Sequence, residues 1–484
     1  MSIDTDLTLR GVEELLAPLL EEHSHGDTFA VLNPSTGEPI AEVARVDAGA
    51  VDRAVDKAAR ALPNWSATPP RQRSEILRSA HELMLAELEP LALLMSLEMG
   101  KTRGDARAEV RYAAEFFRWF SEEAVRIGGE LRTAPSGANR ILTVQRPVGV
   151  ALLLTPWNFP AAMATRKLAP ALAAGCTAVL KPAEDTPLTA LYLADLLSRA
   201  GLPDDVVHVL TTDRPGELVE RALAHPRVRK LSFTGSTPVG RALLHQTADR
   251  IVNTSLELGG NAPFLVLEDA DLDDAVEGAL FAKMRNGGQA CTAANRFLVH
   301  EAVADEFAER LSARMAALRV GPGTDETTQL GPMVNAKRQA DLAARVDAAV
   351  GDGAKVHTGG APLQRPGFFY PATVLSQVNR ESVLSVDETF GPVAPVIEVA
   401  DDDDAIALAN TTEYGLAAYV YSGDLGRALS VAERLQAGMV GVNRGAISDP
   451  AAPFGGMKQS GLGREGGFEG IHEYLELSYL AVDW

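Results

Sequence analysis

The chain has 484 residues, which at roughly 150 residues per domain predicts about three domains. Its 65 acidic residues against 45 lysines and arginines leave a net charge of −20, which argues against nucleic acid or an anionic membrane as the main partner. A hydrophobic fraction of 46% and a charged fraction of 23% exclude a disordered, collagenous or coiled-coil protein.

Helical patterns fill the first part of the chain. Residues 47–62 form an amphipathic pattern that begins with an aspartate suited to the N-cap position. Residues 71–99 predict two helices separated near Pro90, because proline interrupts the hydrogen-bond ladder of a helix. Residues 105–127 predict a further helix, which is ended by a pair of glycines.

After residue 147, short apolar runs alternate with helical patterns. The predicted strands are, in chain order, residues 148–154, 177–180, 206–210, 228–233, 297–299 and 417–421. The predicted helices among them are residues 161–174, 187–200, 271–285, 302–318 and 405–410. Such alternation is typical of parallel sheets covered by helices, so the predicted fold class is α/β with doubly wound sheets.

Cysteine usage and the lack of targeting patterns bear on location. Cys176 and Cys291 are too few for a disulfide framework or a four-thiolate zinc site. The first residues are acidic and lead into no signal-peptide core, and the longest apolar run, residues 148–154, is far shorter than the ~20 residues that span a bilayer. We therefore expect a cytoplasmic protein with no membrane segment, no nucleic-acid partner and no bound metal ion.

Four places carry residue types that chemistry uses, although each also has an ordinary structural interpretation. Residues 234–240 are either an ordinary glycine-containing turn between a strand and a helix or an anion site at the N-terminus of that helix. Glu184 follows a strand, where its carboxylate can accept hydrogen bonds from ribose hydroxyls or simply face solvent. Cys291 lies in a polar, glycine-rich segment that fits a packed, inert thiol poorly. Glu257, flanked by leucines, suits a desolvated general base or a solvated strand residue.

Seven short motifs follow one another along the chain. They are PWNFP at 156–160, KPAE at 181–184, FTGS at 233–236, ELGG at 257–260, GQAC at 288–291, ETFGP at 388–392 and PFGGMK at 453–458. In this order they resemble the aldehyde dehydrogenase superfamily over nearly the whole chain. Chance agreement of all seven is negligible, so the resemblance outweighs the ordinary interpretations.

The resemblance implies a covalent mechanism. Cys291 would attack the aldehyde to form a thiohemiacetal, which becomes a thioester once hydride passes to a nicotinamide. The side-chain amide of Asn158 and the backbone N–H of Cys291 would form the oxyanion hole. Glu257 would activate the water that hydrolyses the thioester.

The cofactor implied by the resemblance is NAD. Lys181 and Glu184 would bind the adenosine ribose, and Glu388 would bind the nicotinamide ribose. A carboxylate at Glu184 would repel a 2′-phosphate about 4 Å away by up to ~4 kcal/mol at an effective dielectric of 20, only partly offset by Lys181, so NADP is the less favoured cofactor. The residues expected at the cofactor site are Thr155, Pro156, Trp157, Lys181, Glu184, Gly235, Ser236, Leu258, Glu388 and Phe390.

Within the superfamily the chain is most similar to the succinate-semialdehyde dehydrogenases. The stretches that carry this likeness are residues 160–167, 258–264, 283–286 and 460–466. In that subfamily two arginines and a serine hold the distal carboxylate of the substrate, and they match Arg166, Arg285 and Ser448. An acidic protein needs such a local cationic pair to bind an anion, and arginine offers bidentate geometry. The alternative is that both arginines are ion-paired structural residues.

Two positions depart from the pattern of relatives. Ala293 stands where some relatives carry a second cysteine, so no redox disulfide with Cys291 is expected. Arg444 stands where the family more often has a small or acidic residue, and an extra cation there would shift preference among acidic semialdehydes.

The resemblance also implies a domain organisation, with two doubly wound parallel-sheet domains and a small β extension for oligomerisation. The implied boundaries are residues 1–124 and 146–256 for the NAD-binding domain, 257–445 for the catalytic domain, and 125–145 with 465–484 for the oligomerisation segment. A homodimer or homotetramer is implied. Two alternatives stay open: the same oxidation acting on glutarate semialdehyde or a neutral aliphatic aldehyde, and a catalytically silent protein on this scaffold.

Overall fold

The structure is a computed structural model that describes residues 26–483. Its strands are β1 (Thr28–Leu32), β2 (Pro39–Ala44), β3 (Leu131–Thr133), β4 (Arg140–Pro147), β5 (Val150–Leu154), β6 (Thr177–Lys181), β7 (Val207–Val209), β8 (Val228–Thr234), β9 (Asn253–Glu257), β10 (Ala262–Val266), β11 (Ala294–His300), β12 (Lys355–Thr358), β13 (Thr373–Ser376), β14 (Val393–Val399), β15 (Ala417–Tyr421), β16 (Met439–Val442), β17 (Gly461–Leu462) and β18 (Leu475–Val482).

The helices cover both faces of these strands. They are α1 (Ala48–Ala67), α2 (Pro70–Ala86), α3 (Leu88–Met99), α4 (Arg103–Ala124), α5 (Pro160–Ala174), α6 (Pro187–Arg199), α7 (Pro215–Ala224), α8 (Thr237–Ala248), α9 (Leu272–Met284), α10 (Ala304–Ala316), α11 (Ala336–Gly351), α12 (Val383–Val386), α13 (Asp402–Asn410) and α14 (Leu425–Arg434). Short 3₁₀ helices span Arg285–Gly288, Lys458–Ser460 and Glu469–Tyr474.

The first sheet has the strand order β17-β9-β8-β5-β6-β7, and all of its strands except β17 run parallel. Successive side chains of β5 enter different cores, because strand side chains alternate between faces. Ala151 and Leu153 join the core formed by α2 to α6, whereas Leu152 and Leu154 join the core under α1, α7 and α8. The sheet is therefore doubly wound, as the sequence predicts.

The second sheet has the order β12-β13-β14-β11-β10-β15-β16, in which only β12 is antiparallel to its neighbour. Phe264 and Val266 of β10 pack with α9 and α10, while Leu265 packs with α11, α13 and α14. These two sheets confirm the predicted fold class.

A third, antiparallel sheet has the order β18-β4-β3, and a separate hairpin joins β1 to β2. The three-stranded sheet unites two segments that the sequence predicts to form one oligomerisation extension. The exact domain boundaries stay predictions, and residues 1–25 of the first one lie outside the described part of the chain. Within residues 26–483 no helix is long and apolar enough to cross a membrane.

Two details of the helical prediction are wrong. The break predicted near Pro90 lies earlier, at Glu87, and Pro90 occupies the first turn of α3, where a missing N–H costs no helical hydrogen bond. The helix predicted to end at residue 62 continues to Ala67 with Pro63 inside it, and its last turn buries Trp65. Tertiary packing outweighs local propensity at this second site.

Candidate active site

The carboxyl ends of four parallel strands meet at one edge of the first sheet. These strands end at Leu154 in β5, Lys181 in β6, Thr234 in β8 and Glu257 in β9. The segments that follow them therefore emerge on the same side, which is where open α/β sheets bind ligands. All of the predicted cofactor residues except Glu388 and Phe390 lie at these strand ends.

Cys291 approaches this edge from the second sheet, in the loop between α9 and β11. The loop starts with a tight turn in which Asn286 has a φ of 55°. At Gly288 a Cβ would lie 2.2 Å from the carbonyl oxygen of Gly391, so only glycine permits the approach. The cysteine loop is thereby packed directly against the segment that carries Glu388.

Asn158 is buried beside the cysteine loop and is held by several hydrogen bonds. Its Nδ2 donates to the carbonyl oxygen of Gln289 (3.1 Å), and its own carbonyl accepts from Asn286 Nδ2 (2.9 Å) and Lys101 Nζ (2.7 Å). Lys101 is ion-paired with Glu109, whose Oε1 accepts two backbone N–H groups in the first turn of α5. The network fixes the Asn158 amide against the cysteine loop and leaves its second N–H for another acceptor.

A cavity of about 280 Å³ joins the cysteine loop to the strand ends. Predicted site residues that line it are Pro156, Trp157, Asn158, Gly235, Ser236, Leu258, Cys291, Glu388 and Phe390. Residues that line it without having been predicted are Met163, Thr234, Gly259, Arg338, Arg345, Asp387 and Tyr414. Ser236 occupies the N-cap position of α8 but makes no side-chain cap, so first-turn N–H groups of α8 are left for another acceptor.

Glu388 and two aromatic rings shape the wall of this cavity. The Oε1 of Glu388 accepts the backbone N–H of Gly260 (3.1 Å), and burial raises the pKa of its carboxyl to about 7. The rings of Trp157 and Phe390 meet edge to face, with centroids 5.4 Å apart. The wall thus combines a carboxyl group with apolar surface.

Three predicted cofactor residues lie at the same sheet edge but do not line this cavity. Lys181 is buried with its Nζ 3.6 Å from the Oε2 of the exposed Glu184, and burial lowers the pKa of the lysine. Thr155 donates its backbone N–H to the Lys181 carbonyl (3.2 Å). Lys181 ends β6, Glu184 follows it, and Thr155 follows the neighbouring β5, so these residues extend the site along the sheet.

Glu257 is enclosed by a network of charged side chains. It is 3% exposed, and its Oε2 has no hydrogen-bond partner within residues 26–483. Burial raises its pKa well above the usual value and Glu465 raises it further, while Lys167 and Arg166 lower it. Lys167 donates to Glu465 Oε1 and to Ser232 Oγ. A carboxyl with a raised pKa is suited to accept a proton near neutral pH.

Burial also raises the pKa of the Cys291 thiol, to about 12. Arg166 and Arg285 lower this pKa, whereas Glu388 and Glu257 raise it. These interactions place four predicted site residues within electrostatic reach of the sulfur. At neutral pH the thiol keeps its proton until a base accepts it.

The two predicted substrate arginines lie against one aromatic ring. The Cζ of Arg166 is 5.7 Å and that of Arg285 is 5.5 Å from the ring centroid of Tyr112. Arg166 is 2% exposed, donates to the Tyr112 hydroxyl (2.5 Å) and lies 3.7 Å from Glu465 Oε2. Arg285 lies 5.0 Å from the ring centroid of Phe159, and its guanidinium has no hydrogen bond or ion pair with any residue from 26 to 483. A half-buried guanidinium without a partner suits an external anion.

No hydrogen bond in the described part of the chain joins Ser448 to Arg166 or Arg285. It lines a different cavity, of about 380 Å³, together with Arg444 and Phe454. The Phe454 ring centroid is 4.0 Å from the Cζ of Arg166, so a residue that lines the serine's cavity also contacts this guanidinium. A substrate role for Ser448 stays a prediction.

Sequence reasoning gave no role to Tyr112, Lys101, Lys167 or Glu465, which the structure places in the site. A signal was present for Lys167, because α5 is otherwise almost entirely apolar apart from Arg166. A charged residue in such a helix must be buried, and buried charges are paired. The partners, however, lie far away in the chain and cannot be read from local spacing.

The sequence and the fold of the chain are matched by known proteins. The model of the aldehyde dehydrogenase family matches residues 21–480. The chain belongs to the aldehyde dehydrogenase family. Predicted family, fold class and enzyme class are thereby confirmed, and the protein is an NAD(P)-dependent enzyme that oxidises aldehydes.

Individual relatives within the family are similar over almost their full length. A succinate-semialdehyde dehydrogenase of Paenarthrobacter nicotinovorans is 56% identical over 429 residues, which are 89% of this chain and 95% of the relative. A glutarate-semialdehyde dehydrogenase of Pseudomonas aeruginosa is 48% identical over 458 residues, 95% of each chain. The crystal structure of an NADP-dependent enzyme of Escherichia coli has a TM-score of 0.93 and 47% identity, and the match covers 95% of each chain.

Proposed function

We propose that this aldehyde dehydrogenase oxidises succinate semialdehyde to succinate, through a thioester on Cys291. The observation that carries the proposal is the pair of guanidiniums, Arg166 and Arg285, which share the Tyr112 ring within electrostatic reach of the thiol. In a protein with a net charge of −20, a local cationic pair beside the nucleophile selects an aldehyde with a distal negative group. The names of the P. nicotinovorans and P. aeruginosa relatives support a semialdehyde of this class.

Cys291 acts as the nucleophile in this proposal. Its sulfur bonds to the aldehyde carbon, and the thiol proton passes to solvent as the bond forms. The aldehyde oxygen becomes an oxyanion, which accepts hydrogen bonds from the free side-chain N–H of Asn158 and from the backbone N–H of Cys291. A donor of this kind is worth about 3–4 kcal/mol in the transition state.

The residues at the sheet edge fit a nicotinamide dinucleotide. The uncapped N-terminus of α8, after Gly235 and Ser236, suits a diphosphate. One carboxyl oxygen of Glu388 accepts a hydrogen bond from the backbone N–H of Gly260, and the other can accept hydrogen bonds from ribose hydroxyls. Lys181 and Glu184 suit the second ribose. When bound, the nicotinamide accepts the hydrogen and the electron pair that the thiohemiacetal loses as it becomes a thioester.

Glu257 then serves hydrolysis of the thioester. Its Oε2, which is buried and lacks a partner in the described chain, accepts a proton from the attacking water. The proton is held in a buried site where Glu465 opposes a second negative charge and Lys167 moderates that effect. Water attack breaks the carbon–sulfur bond and releases the acid, and the proton held by Glu257 passes to the departing sulfur, which regenerates the Cys291 thiol.

NAD is expected to be preferred over NADP. Lys181 and Glu184 form one ion pair, 3.6 Å long, so the lysine charge is already engaged and a carboxylate at the ribose site would repel a 2′-phosphate. The E. coli relative is named for NADP, so the preference of this chain is to be tested directly.

A homodimer or homotetramer is also proposed. The three-stranded sheet exposes Leu131 (59%), Leu477 (63%) and Tyr479 (58%), and exposed apolar groups on a sheet favour association with another copy. Light scattering coupled to size-exclusion chromatography tests this directly: a monomer at micromolar concentration would contradict it.

The substrate proposal is tested by comparing kcat/KM for succinate semialdehyde, glutarate semialdehyde and butanal, with NAD in excess. We expect succinate semialdehyde to exceed butanal at least tenfold, because butanal has the same length without the anion. A better rate with glutarate semialdehyde would retain the anion site and move the substrate to the longer acid. An equal or better rate with butanal would make both arginines structural and refute the proposal.

A further inference from the structure

Tyr112 lies at the centre of the anion site although it was assigned no role above. It belongs to α4, and its ring meets that of Phe116 edge to face at a centroid distance of 5.0 Å. Its ring centroid is 5.7 Å from the Cζ of Arg166 and 5.5 Å from that of Arg285. A group that touches one arginine can therefore reach Tyr112, which is only half-buried.

The hydrogen bonding of Tyr112 leaves one donor over. The Nη2 of Arg166 donates to the Tyr112 hydroxyl oxygen at 2.5 Å, so the hydroxyl acts as the acceptor in that contact. A guanidinium has no acceptor atom, and the phenolic hydrogen must therefore point elsewhere. No other hydrogen bond of this hydroxyl is found in the part of the chain that is described.

A further open donor lies on the same guanidinium. The Nε of Arg166 is buried without a hydrogen-bond partner among residues 26–483. Buried donors are almost always satisfied, so two adjacent free donors, with Arg285 beside them, indicate an absent acceptor. The acceptor must be small, negative and rich in oxygen atoms.

We propose that Tyr112 is a substrate-binding residue, which donates its hydroxyl hydrogen to the distal carboxylate of the substrate alongside Arg166 and Arg285. This inference rests on the proposed function and deepens it, because it names the third member of the anion site.

Tyr112 has a second effect through its contact with Arg166. The only ion pair that this guanidinium makes within the described chain is with Glu465, at 3.7 Å. The hydroxyl bond and the ring hold Arg166 away from a closer pairing with Glu465. Loss of the hydroxyl allows that pairing to tighten, which withdraws the cation from the substrate.

The test is Tyr112→Phe in the full-length enzyme, which removes one oxygen atom and keeps the ring. We expect KM for succinate semialdehyde to rise at least tenfold, while kcat/KM for butanal stays within twofold of the wild type. The matched control is Tyr192→Phe. Tyr192 lies on α6, remote from the site, and its hydroxyl donates a hydrogen bond to the carboxylate of Glu87. The control is expected to leave both substrates unchanged, and melting temperatures establish that the variants are folded.

A second variant and a binding measurement keep the inference separate from general damage. Tyr112→His keeps a donor and an acceptor, and its KM for succinate semialdehyde should fall between those of the wild type and Tyr112→Phe. Inhibition by succinate should weaken in Tyr112→Phe in parallel with KM, because the product carries the same anion.

The outcomes distinguish this inference from the proposed function. If the wild type does not favour succinate semialdehyde over butanal, the proposed function fails and the inference with it. If the wild type favours the acid but Tyr112→Phe keeps its KM, the arginines bind the anion and Tyr112 does not. Equal losses on both substrates would show that Tyr112 has only a structural role.

Discussion

Replacing Arg285 with leucine removes the guanidinium that lacks a hydrogen bond or ion pair in the described chain. The change is a cleaner perturbation than one at Arg166, whose loss would remove one of the two cations, with Lys167, that pair with the buried Glu465. Leucine can keep the apolar contact with Tyr112 and Phe159. Folding stability should therefore change little, and the effect should be confined to anion binding.

The magnitude follows from electrostatics at contact. A guanidinium and a carboxylate about 4 Å apart attract each other by about 4 kcal/mol at an effective dielectric of 20. Arg285 is only half-buried, and solvent screening reduces this value. We expect a loss of about 2–4 kcal/mol, which is a drop of about 30-fold to 1,000-fold in kcat/KM for succinate semialdehyde.

The assay measures NADH formation by Arg285→Leu with succinate semialdehyde and with butanal. Butanal should retain its kcat/KM within about threefold, because it makes no charged contact. The control is Arg314→Leu, which removes an exposed arginine on α10 that pairs with Glu277 outside the site. A loss that is equal for both aldehydes, or no loss for the acid, would refute the role given to Arg285.

Three further predictions concern carboxyl groups. Glu257→Gln should give one equivalent of NADH per Cys291 in a rapid burst, followed by turnover that is slowed about 10²- to 10⁴-fold. Stopped-flow absorbance measures both phases, and a linear trace at the reduced rate would show that Glu257 acts before the thioester forms. Glu184→Ser should raise kcat/KM with NADP at least tenfold relative to NAD, and an unchanged ratio would exclude charge repulsion as the cause of NAD preference. Burial raises the pKa of Glu98 to about 8, so between pH 4.5 and 8 the folded state binds a proton that the unfolded chain has lost, and stability falls as pH rises. Glu98→Gln should flatten that slope in urea unfolding measured at pH 6 and pH 8, and a slope equal to the wild type's would contradict the assignment.

The sequence predicts well those features that are local in the chain. Strand and helix alternation predicts doubly wound sheets, because each strand and its following helix are formed by neighbouring residues. Cys291, Asn158 and Glu257 lie in short motifs that carry their own turns. Cys291 and Asn158 line one cavity, and Glu257 lies within electrostatic reach of the Cys291 thiol. The roles assigned to these residues remain proposals that the kinetic experiments test.

The features that were missed depend on contacts between distant segments. Tyr112 and Arg166 are separated by 54 residues, and Lys101 and Asn158 by 57, so no spacing rule connects them. The break at Glu87 instead of Pro90 has a different origin, since proline is tolerated in the first turn of a helix.

The central claim is that Cys291 carries the acyl group of an anionic substrate. It is tested most directly by acid-quenching Glu257→Gln with succinate semialdehyde and NAD and by mapping the modified peptides by mass spectrometry. We predict a succinyl thioester on Cys291, with Cys176 unmodified because that thiol is buried and its pKa is raised to about 11. Absence of an adduct on Cys291 under conditions that yield NADH, or an adduct on Cys176 instead, would contradict the account.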